Sequence, residues 1–254
     1  MLEVRDVSKR YGALTAVSHV SFVVGPGEVL GYLGPNGSGK STTVKMLVGL
    51  MPPTTGSILL DGQDIQNFLP EYKAQVGYVP EEAHVYTYLT GPEYLRLVGR
   101  LRGIDGAVLE RKIDRLLKIF GLDTDVHALL SAYSKGMRQK ILLSAALLHN
   151  PRILVLDEPV SGLDVSTALM LRGVVRTLAG NGRVVFYSSH ELDTIERIST
   201  RVIILRAGQV VADDSAARLR ELMNSPSLED VFSQLAVREN VEELAGALVE
   251  TIES

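Results

Sequence analysis

The chain has 254 residues, 46% of them hydrophobic, with 26 basic and 30 acidic side chains for a formal charge of −4. That suits one large domain or two small ones with a sizeable core, and it excludes the basic field that nucleic acid or an anionic membrane surface requires of a partner. The sequence contains no cysteine, which also excludes disulfides, thiolate metal sites and cysteine nucleophiles.

The longest aliphatic runs, such as Val202–Leu205, are far too short to span a bilayer. The start, Met1 to Asp6, lacks the basic segment and apolar run of a secretory signal. The expectation is a soluble, cytoplasmic chain.

In chain order, the first 30 residues read as short strands with turns; Val20, Phe22 and Val24 alternate before Gly25-Pro26-Gly27. Val29 to Leu33 is a compact apolar run containing one glycine, a buried strand that enters a glycine-rich loop. A helix is predicted over Ser41–Leu50. Leu59-Leu60-Asp61-Gly62 reads as a strand running into a turn. From about 91 to 149 the apolar spacing turns helical, through Leu109, Ile113, Leu116, Leu117 and Phe120, then Met137, Ile141, Leu142, Ala145 and Leu148. Ile153–Leu156 and Val184–Tyr187 read as buried parallel strands. Val202–Leu205 and Val210–Val211, joined through Ala207-Gly208, read as a hairpin. This order fits one nucleotide-type α/β core, residues 1–214, with a helical subdomain at about 84–150.

Residues 215–254 carry 3 basic and 8 acidic side chains and read as an acidic, mostly helical extension. Ser227-Leu228-Glu229-Asp230 resembles a capping box with Asp in place of Glu. Val241, Leu244, Ala245, Leu248, Val249 and Ile252 share one helical face. That face needs burial, either on the chain's own core or on a second copy of the tail.

Chemistry concentrates in three places. Gly34-Pro35-Asn36-Gly37-Ser38-Gly39-Lys40-Ser41 matches G-x-x-x-x-G-K-[ST] between a predicted strand and a predicted helix. Glycines let the backbone curl so that successive N–H groups point at phosphate oxygens, and the helix that follows adds the positive end of its dipole. Lys40 supplies a cation to the β- and γ-phosphates and Ser41 a hydroxyl for Mg²⁺; Thr42 completes the nucleotide-binding stretch. Alone, the loop says only that a nucleoside triphosphate binds. In the second place, Ile153–Leu156 ends in Asp157-Glu158, which presents both carboxylates at the carboxyl edge of a buried strand. Asp157 suits Mg²⁺ and Glu158 suits the attacking water. In the third, Ser134 N-caps a helix and Gly136 allows close backbone approach, a second helix start suited to an anion.

The order of these pieces, followed by Ser161-Gly162-Leu163-Asp164 and then His190, resembles the ATP-binding subunit of ABC transporters over roughly residues 1–215. Tyr133 to Met137 stands where that family reads Leu-Ser-Gly-Gly-Gln; Ser134 and Gly136 are kept, while Tyr, Lys and Met depart from it. The variant Tyr-Ser-Lys-Gly-Met-Arg-Gln looks like the exporter branch of the ABC-2 type.

The resemblance implies an α/β fold. It comprises a P-loop NTPase core, an N-terminal antiparallel β subdomain, a helical signature subdomain and a helical C-terminal tail. It also implies ATP and Mg²⁺ as ligands, a head-to-tail dimer with a second ATP-binding subunit, separate transmembrane permease subunits and a place at the inner face of the membrane. No nucleic-acid partner is expected. Tyr11, in Arg10-Tyr11-Gly12, matches the aromatic that stacks on adenine; His190 matches the switch histidine near the γ-phosphate. Asp164 matches the acid that crosses the dimer interface. Glu81 stands where the family usually has Gln, and the exporter branch often has Glu there, so metal contact and coupling to the membrane subunit both remain open. Tyr86, Tyr88, Leu89 and Tyr94 lie on the segment that receives the permease, or else pack within the helical insert.

Two rival readings stay open. Soluble ABC-type ATPases serve DNA repair, cofactor assembly or the ribosome; ribosome-acting members usually carry two such cores, and repair members carry long coiled coils or zinc-binding cysteines. A P-loop kinase acting on a small molecule would need no signature helix.

Overall fold

The computed structural model describes residues 1–236 together with Thr251 and Ile252. Two antiparallel strands open the chain, β1 (Leu2–Tyr11) and β2 (Leu14–Val24). They are longer than the short strands expected. Register shifts between Val4 and Val7, Val7 and Lys9, and Lys9 and Arg10 break the alternation that would have revealed their length. At the first shift Asp6 takes φ 48 and its N–H donates to Ser21 Oγ at 2.8 Å.

β3 (Val29–Leu33) leads through a loop to α1 (Lys40–Leu47). The predicted helix ran to Leu50. It stops earlier because Gly49, at φ 69, closes a Schellman motif: its N–H donates to Met46 O at 3.1 Å and the Leu50 N–H to Lys45 O at 2.9 Å. β4 (Thr55–Leu60) and the short β5 (Gln63–Asp64) complete a four-stranded sheet in the order β2-β1-β4-β5.

α2 (Leu69–Ala74) precedes β6 (Val76–Val79). The helical insert follows as α3 (Gly91–Leu101), α4 (Gly106–Ile119) and α5 (Lys135–Leu147). α3 opens on a capping box: Thr90 Oγ1 accepts from Glu93 N, and the Glu93 carboxylate accepts from Thr90 N at 2.8 Å. α5 is also the crossover from β6 to β7 (Ile153–Asp157) and packs on β6. A Cβ on Gly77 would stand 2.4 Å from Ala146 O, so helix and strand touch backbone to backbone there. Then come α6 (Val165–Gly180), β8 (Val184–Ser188), α7 (Leu192–Ile198), and the hairpin β9 (Arg201–Arg206) and β10 (Gln209–Asp214).

The second sheet runs β10-β9-β3-β8-β7-β6, parallel except for β10. Both of its faces are covered, so its strands are apolar throughout and alternate between two cores. Leu30, Tyr32, Ile153, Val155, Val184, Phe186, Ile203 and Leu205 face the first sheet. There Phe22, Tyr32 and Phe186 bring ring centroids within 4.9 to 6.2 Å. Val29, Leu33, Leu154, Leu156, Val185, Tyr187, Val202 and Ile204 face the other core, with the helices.

Beyond β10, α8 (Ala216–Met223) and α9 (Leu228–Ala236) fold back onto this second core, where Leu219, Leu228, Val231 and Ala236 are buried. Ser227 caps α9: its Oγ accepts from Asp230 N at 3.1 Å and donates to the Asp230 carboxylate at 2.6 Å. Of the tail stripe, Val241, Leu244, Ala245, Leu248 and Val249 lie outside the described residues, and Ile252 is exposed.

Candidate active site

The carboxyl edge of the parallel sheet carries the site. From β3 the chain enters Gly34–Gly39, which only glycine can follow at its tight points. A Cβ on Gly34 would meet Ser38 Oγ at 2.4 Å and Leu205 O at 2.6 Å. Gly39, at φ 106, caps α1 without any side-chain hydrogen bond, and a Cβ there would meet Ala16 O at 2.5 Å. The Ser38 hydroxyl is buried without a hydrogen-bond partner. A tight glycine turn, a helix start without a side-chain cap and a lysine beside them fit a polyphosphate. Lys40 Nζ donates to Gly34 O at 2.5 Å and Pro35 O at 3.2 Å, curled over the loop. Burial holds this ammonium below its ordinary range, against the pull of the Glu158, Asp157 and Glu81 carboxylates.

Across the sheet, Asp157 ends β7 beside Ser188 of β8. Burial pushes its carboxyl up to about 6; Glu81 and Glu158 add to the rise, and Ser188 and Lys40 oppose it. Glu158 sits at φ 47, an uncommon conformation for a side chain-bearing residue, and its N–H donates to Ser188 O at 2.9 Å. Its carboxylate is fixed from two sides: Oε1 lies 2.8 Å from His190 Nδ1, and Oε2 accepts from Ser189 Oγ at 3.0 Å. Ser189 Oγ in turn accepts from Glu191 N at 3.0 Å. The His190 ring is 74% exposed and Glu158 only 8%, so the carboxylate is sheltered behind an accessible imidazole.

These groups line a single cleft of about 600 Å³: Tyr11, the loop from Gly34 through Thr42 except Ser38, Glu81, Asp157, Glu158 and His190, together with Leu14, Ala16 and Phe232. Ser38 lies beneath it, within the loop. Tyr11, half-exposed at the end of β1, donates its hydroxyl to Met51 Sδ at 3.1 Å. The residues present suit Mg²⁺ shared with phosphate: a hydroxyl from Ser41 and a carboxylate from Asp157, with Glu81 close enough to act on both Asp157 and Lys40.

Ser134 and Gly136 are not in this cleft. They open α5, where Ser134 Oγ accepts from Met137 N at 3.2 Å. A Cβ on Gly136 would stand 2.4 Å from Gly162 O, so α5 approaches the loop after Glu158 at its backbone. Lys135 Nζ donates to Ser161 Oγ at 2.7 Å, Lys140 pairs with Asp164 at 3.0 Å, and Gln139 donates to Pro159 O at 3.1 Å. The start of α5 is thereby tied to the loop that follows Glu158. Asp164 N-caps α6, accepting from Thr167 N at 2.8 Å. Its carboxyl is held well below the usual range by Thr167 first and Lys140 next.

The family model described as ABC transporter matches residues 17–161. The chain belongs to the ABC transporter family. The ATP-binding protein I for Nod factor export of Cupriavidus pinatubonensis is 32% identical over 213 residues, 84% of this chain and 70% of its own length. A solved ATP-binding subunit of an ABC transporter superposes with TM-score 0.86 at 34% identity, covering 92% of this chain and 99% of its own. A dimeric ATP-binding cassette in a post-hydrolysis state, bound to ADP and Pi, shares the fold with TM-score 0.78 at 23% identity over 85% of this chain and 98% of its own.

In this ABC ATPase, sequence reasoning missed Ser189, Lys135 and Phe232. Ser189 had a signal in Ser188-Ser189-His190, a hydroxyl beside the candidate histidine. Lys135 registered only as a departure from the signature, and its partner Ser161 lies 26 residues away. Phe232 had none.

Proposed function

We propose that this chain hydrolyses ATP in the cleft described and drives a membrane exporter by closing a head-to-tail dimer around nucleotide. Ser41 and Asp157 would hold Mg²⁺, with Glu81 beside them; the ion supplies charge neutralisation for the phosphates. Lys40 and the N–H groups of the loop bind and orient the triphosphate. Glu158 orients a water and takes its proton at a carboxylate oxygen, and His190 steadies Glu158 and faces the γ-phosphate. Tyr11 stacks on the adenine. Ser134 and Gly136, which lie outside the chain's own cleft, complete the cleft of a second copy, as a two-fold arrangement allows. The observation that carries the reading is the Glu158 carboxylate held by both His190 and Ser189 at the edge of a phosphate loop.

Export rests on the signature variant Tyr133–Gln139 and on the relative whose name gives it a Nod factor export role. Among the described residues no helix is long and apolar enough to cross a membrane; in this reading the pathway is formed by separate permease subunits. Tyr86 and Tyr88, exposed and 5.8 Å apart by ring centroid beside the half-buried Tyr94, offer the docking surface.

The test is Glu158→Gln. ATP affinity stays within about threefold of the parent while phosphate release falls by about 10²–10⁴. Unchanged steady-state hydrolysis would sink the general-base role. The same variant, tagged and trapped with ATP and Mg²⁺ in gently solubilised membranes, co-purifies with a polytopic membrane protein. Recovery only with DNA, ribosomes or an assembly factor would move the chain to the soluble-ATPase reading.

A further inference from the structure

We infer that Phe232, on the carboxyl-terminal helix α9, is an aromatic wall of the nucleotide cleft and packs against the purine base. The inference rests on the nucleotide reading of that cleft. It extends the site to a part of the chain that lies 71 residues beyond the last position matched by the family model.

The position follows from how α9 is held. Leu228, Val231 and Ala236 are buried in the core, and the helix packs on α7, α8 and β9. Phe232 is next to Val231 and so stands at the margin of that buried stripe, half-buried. One side of it packs against the core and it also lines the cleft. The last turn of α9 is fixed by Arg206, which donates to Leu235 O at 2.7 Å. Arg206 ends β9, and the turn after it is bonded to β2 and to the phosphate loop: Gly208 O accepts from Ser18 N at 2.8 Å, and Gly208 N donates to Ser38 O at 2.9 Å. The anchor of α9 is therefore the same turn that holds the phosphate loop against β2. At its other end, Glu229 shares a second hollow with His190, Arg172 and Thr194. Of α9, Phe232 lines the cleft and Glu229 lines the neighbouring hollow.

The chemistry selects the base. The polar walls of the cleft, Lys40, Ser41, Glu81, Asp157, Glu158 and His190, suit phosphate, metal and water. Its apolar walls are Tyr11, Leu14, Ala16 and Phe232. Tyr11 and Leu14 are 46% and 65% exposed, apolar surface that a flat heterocycle covers and a triphosphate does not.

The experiment compares ATP with inorganic tripolyphosphate, each titrated calorimetrically with Mg²⁺ into the full chain and its variants. Phe232→Leu keeps apolar bulk against the core and removes the ring. It weakens ATP about tenfold and leaves tripolyphosphate within twofold of the parent. Phe232→Tyr keeps parental affinity for both. An unchanged ATP affinity in Phe232→Leu overturns the inference, and so does an equal loss for both ligands, which would mean a displaced helix. A parent that binds neither ligand overturns the phosphate-loop reading as well, so the two failures are told apart. A second reading needs no change in folding: in the parent chain with labelled phenylalanine rings, the Phe232 resonance shifts with ATP and stays still with tripolyphosphate. A Phe232 resonance that ATP does not move overturns the inference.

Discussion

The phosphate loop and the signature helix are both helix starts suited to an anion, yet they are built in opposite ways. At α1 the cap is Gly39, which contributes no side-chain hydrogen bond, so the first N–H groups have no side-chain acceptor and stay available to phosphate. At α5 the cap is Ser134, whose hydroxyl already accepts from Met137 N, and the three residues Lys135, Gln139 and Lys140 tie the helix to the loop after Glu158. The first is a receptacle complete in one chain. The second is tethered to the loop that follows Glu158. Two helix starts of similar outline thus differ in what their side chains are already bonded to.

Lys40→Ala should break the first site outright. It removes the only lysine among the described residues that line the cleft, and ATP affinity falls by more than about a hundredfold, read by calorimetry. Retained affinity would mean that the backbone cradle alone carries binding.

Gly136→Ala should break only the second. Its new methyl would meet the Gly162 carbonyl at 2.4 Å, so helix and loop must separate. Turnover falls by about one to two orders of magnitude while ATP affinity of the monomer holds. A parallel loss of affinity would show that the two starts are not independent.

Asp157 sharpens the contrast through pH. Its folded pKa of about 6 lies above the ordinary 3.8, so the native state holds the proton more tightly than the unfolded one. The stabilisation from that proton is complete below pH 4, is lost as pH rises through 6, and is absent above. Asp157→Asn therefore stabilises the nucleotide-free fold by about 3 kcal/mol at pH 7.5 and by well under about 1 kcal/mol at pH 4. Denaturant melts at both values check this. An equal gain at both would place the cause outside titration.

The smallest effects come from the caps. Thr90→Ala, at a helix start whose side chains serve only the capping box, costs about 1 kcal/mol of stability. Ser134→Ala costs a similar amount but also lowers turnover. Equal activities for the two variants would reduce Ser134 to a cap.

The parallel core was legible in the sequence because both faces of its sheet are covered. Ile153–Leu156 and Val184–Tyr187 had to be apolar throughout, and each ends where a site residue begins. The phosphate loop was legible because Gly34 and Gly39 stand where a Cβ would meet backbone oxygens, and Gly37 takes a φ of 77 that favours glycine. The length of β1 and β2 was not, since bulges interrupt the alternation that reports a strand. The early end of α1 was written in Gly49 and read past, because Leu50 continues the apolar pattern while folding back in the Schellman turn. Phe232 and Lys135 were hidden for a different reason: each depends on a partner far along the chain, and no local spacing encodes such a meeting.

One contact gives the crossover helix a mechanical character. At Gly77 the strand β6 has no side chain on the face that meets Ala146 O, so α5 bears directly on the sheet with no compressible layer between them. The far end of that rod is Ser134, and the strand it leans on runs, four residues later, into Glu81. Any shift of α5 at Ala146 therefore meets the backbone of β6 at Gly77 itself, on the strand whose exit carries Glu81.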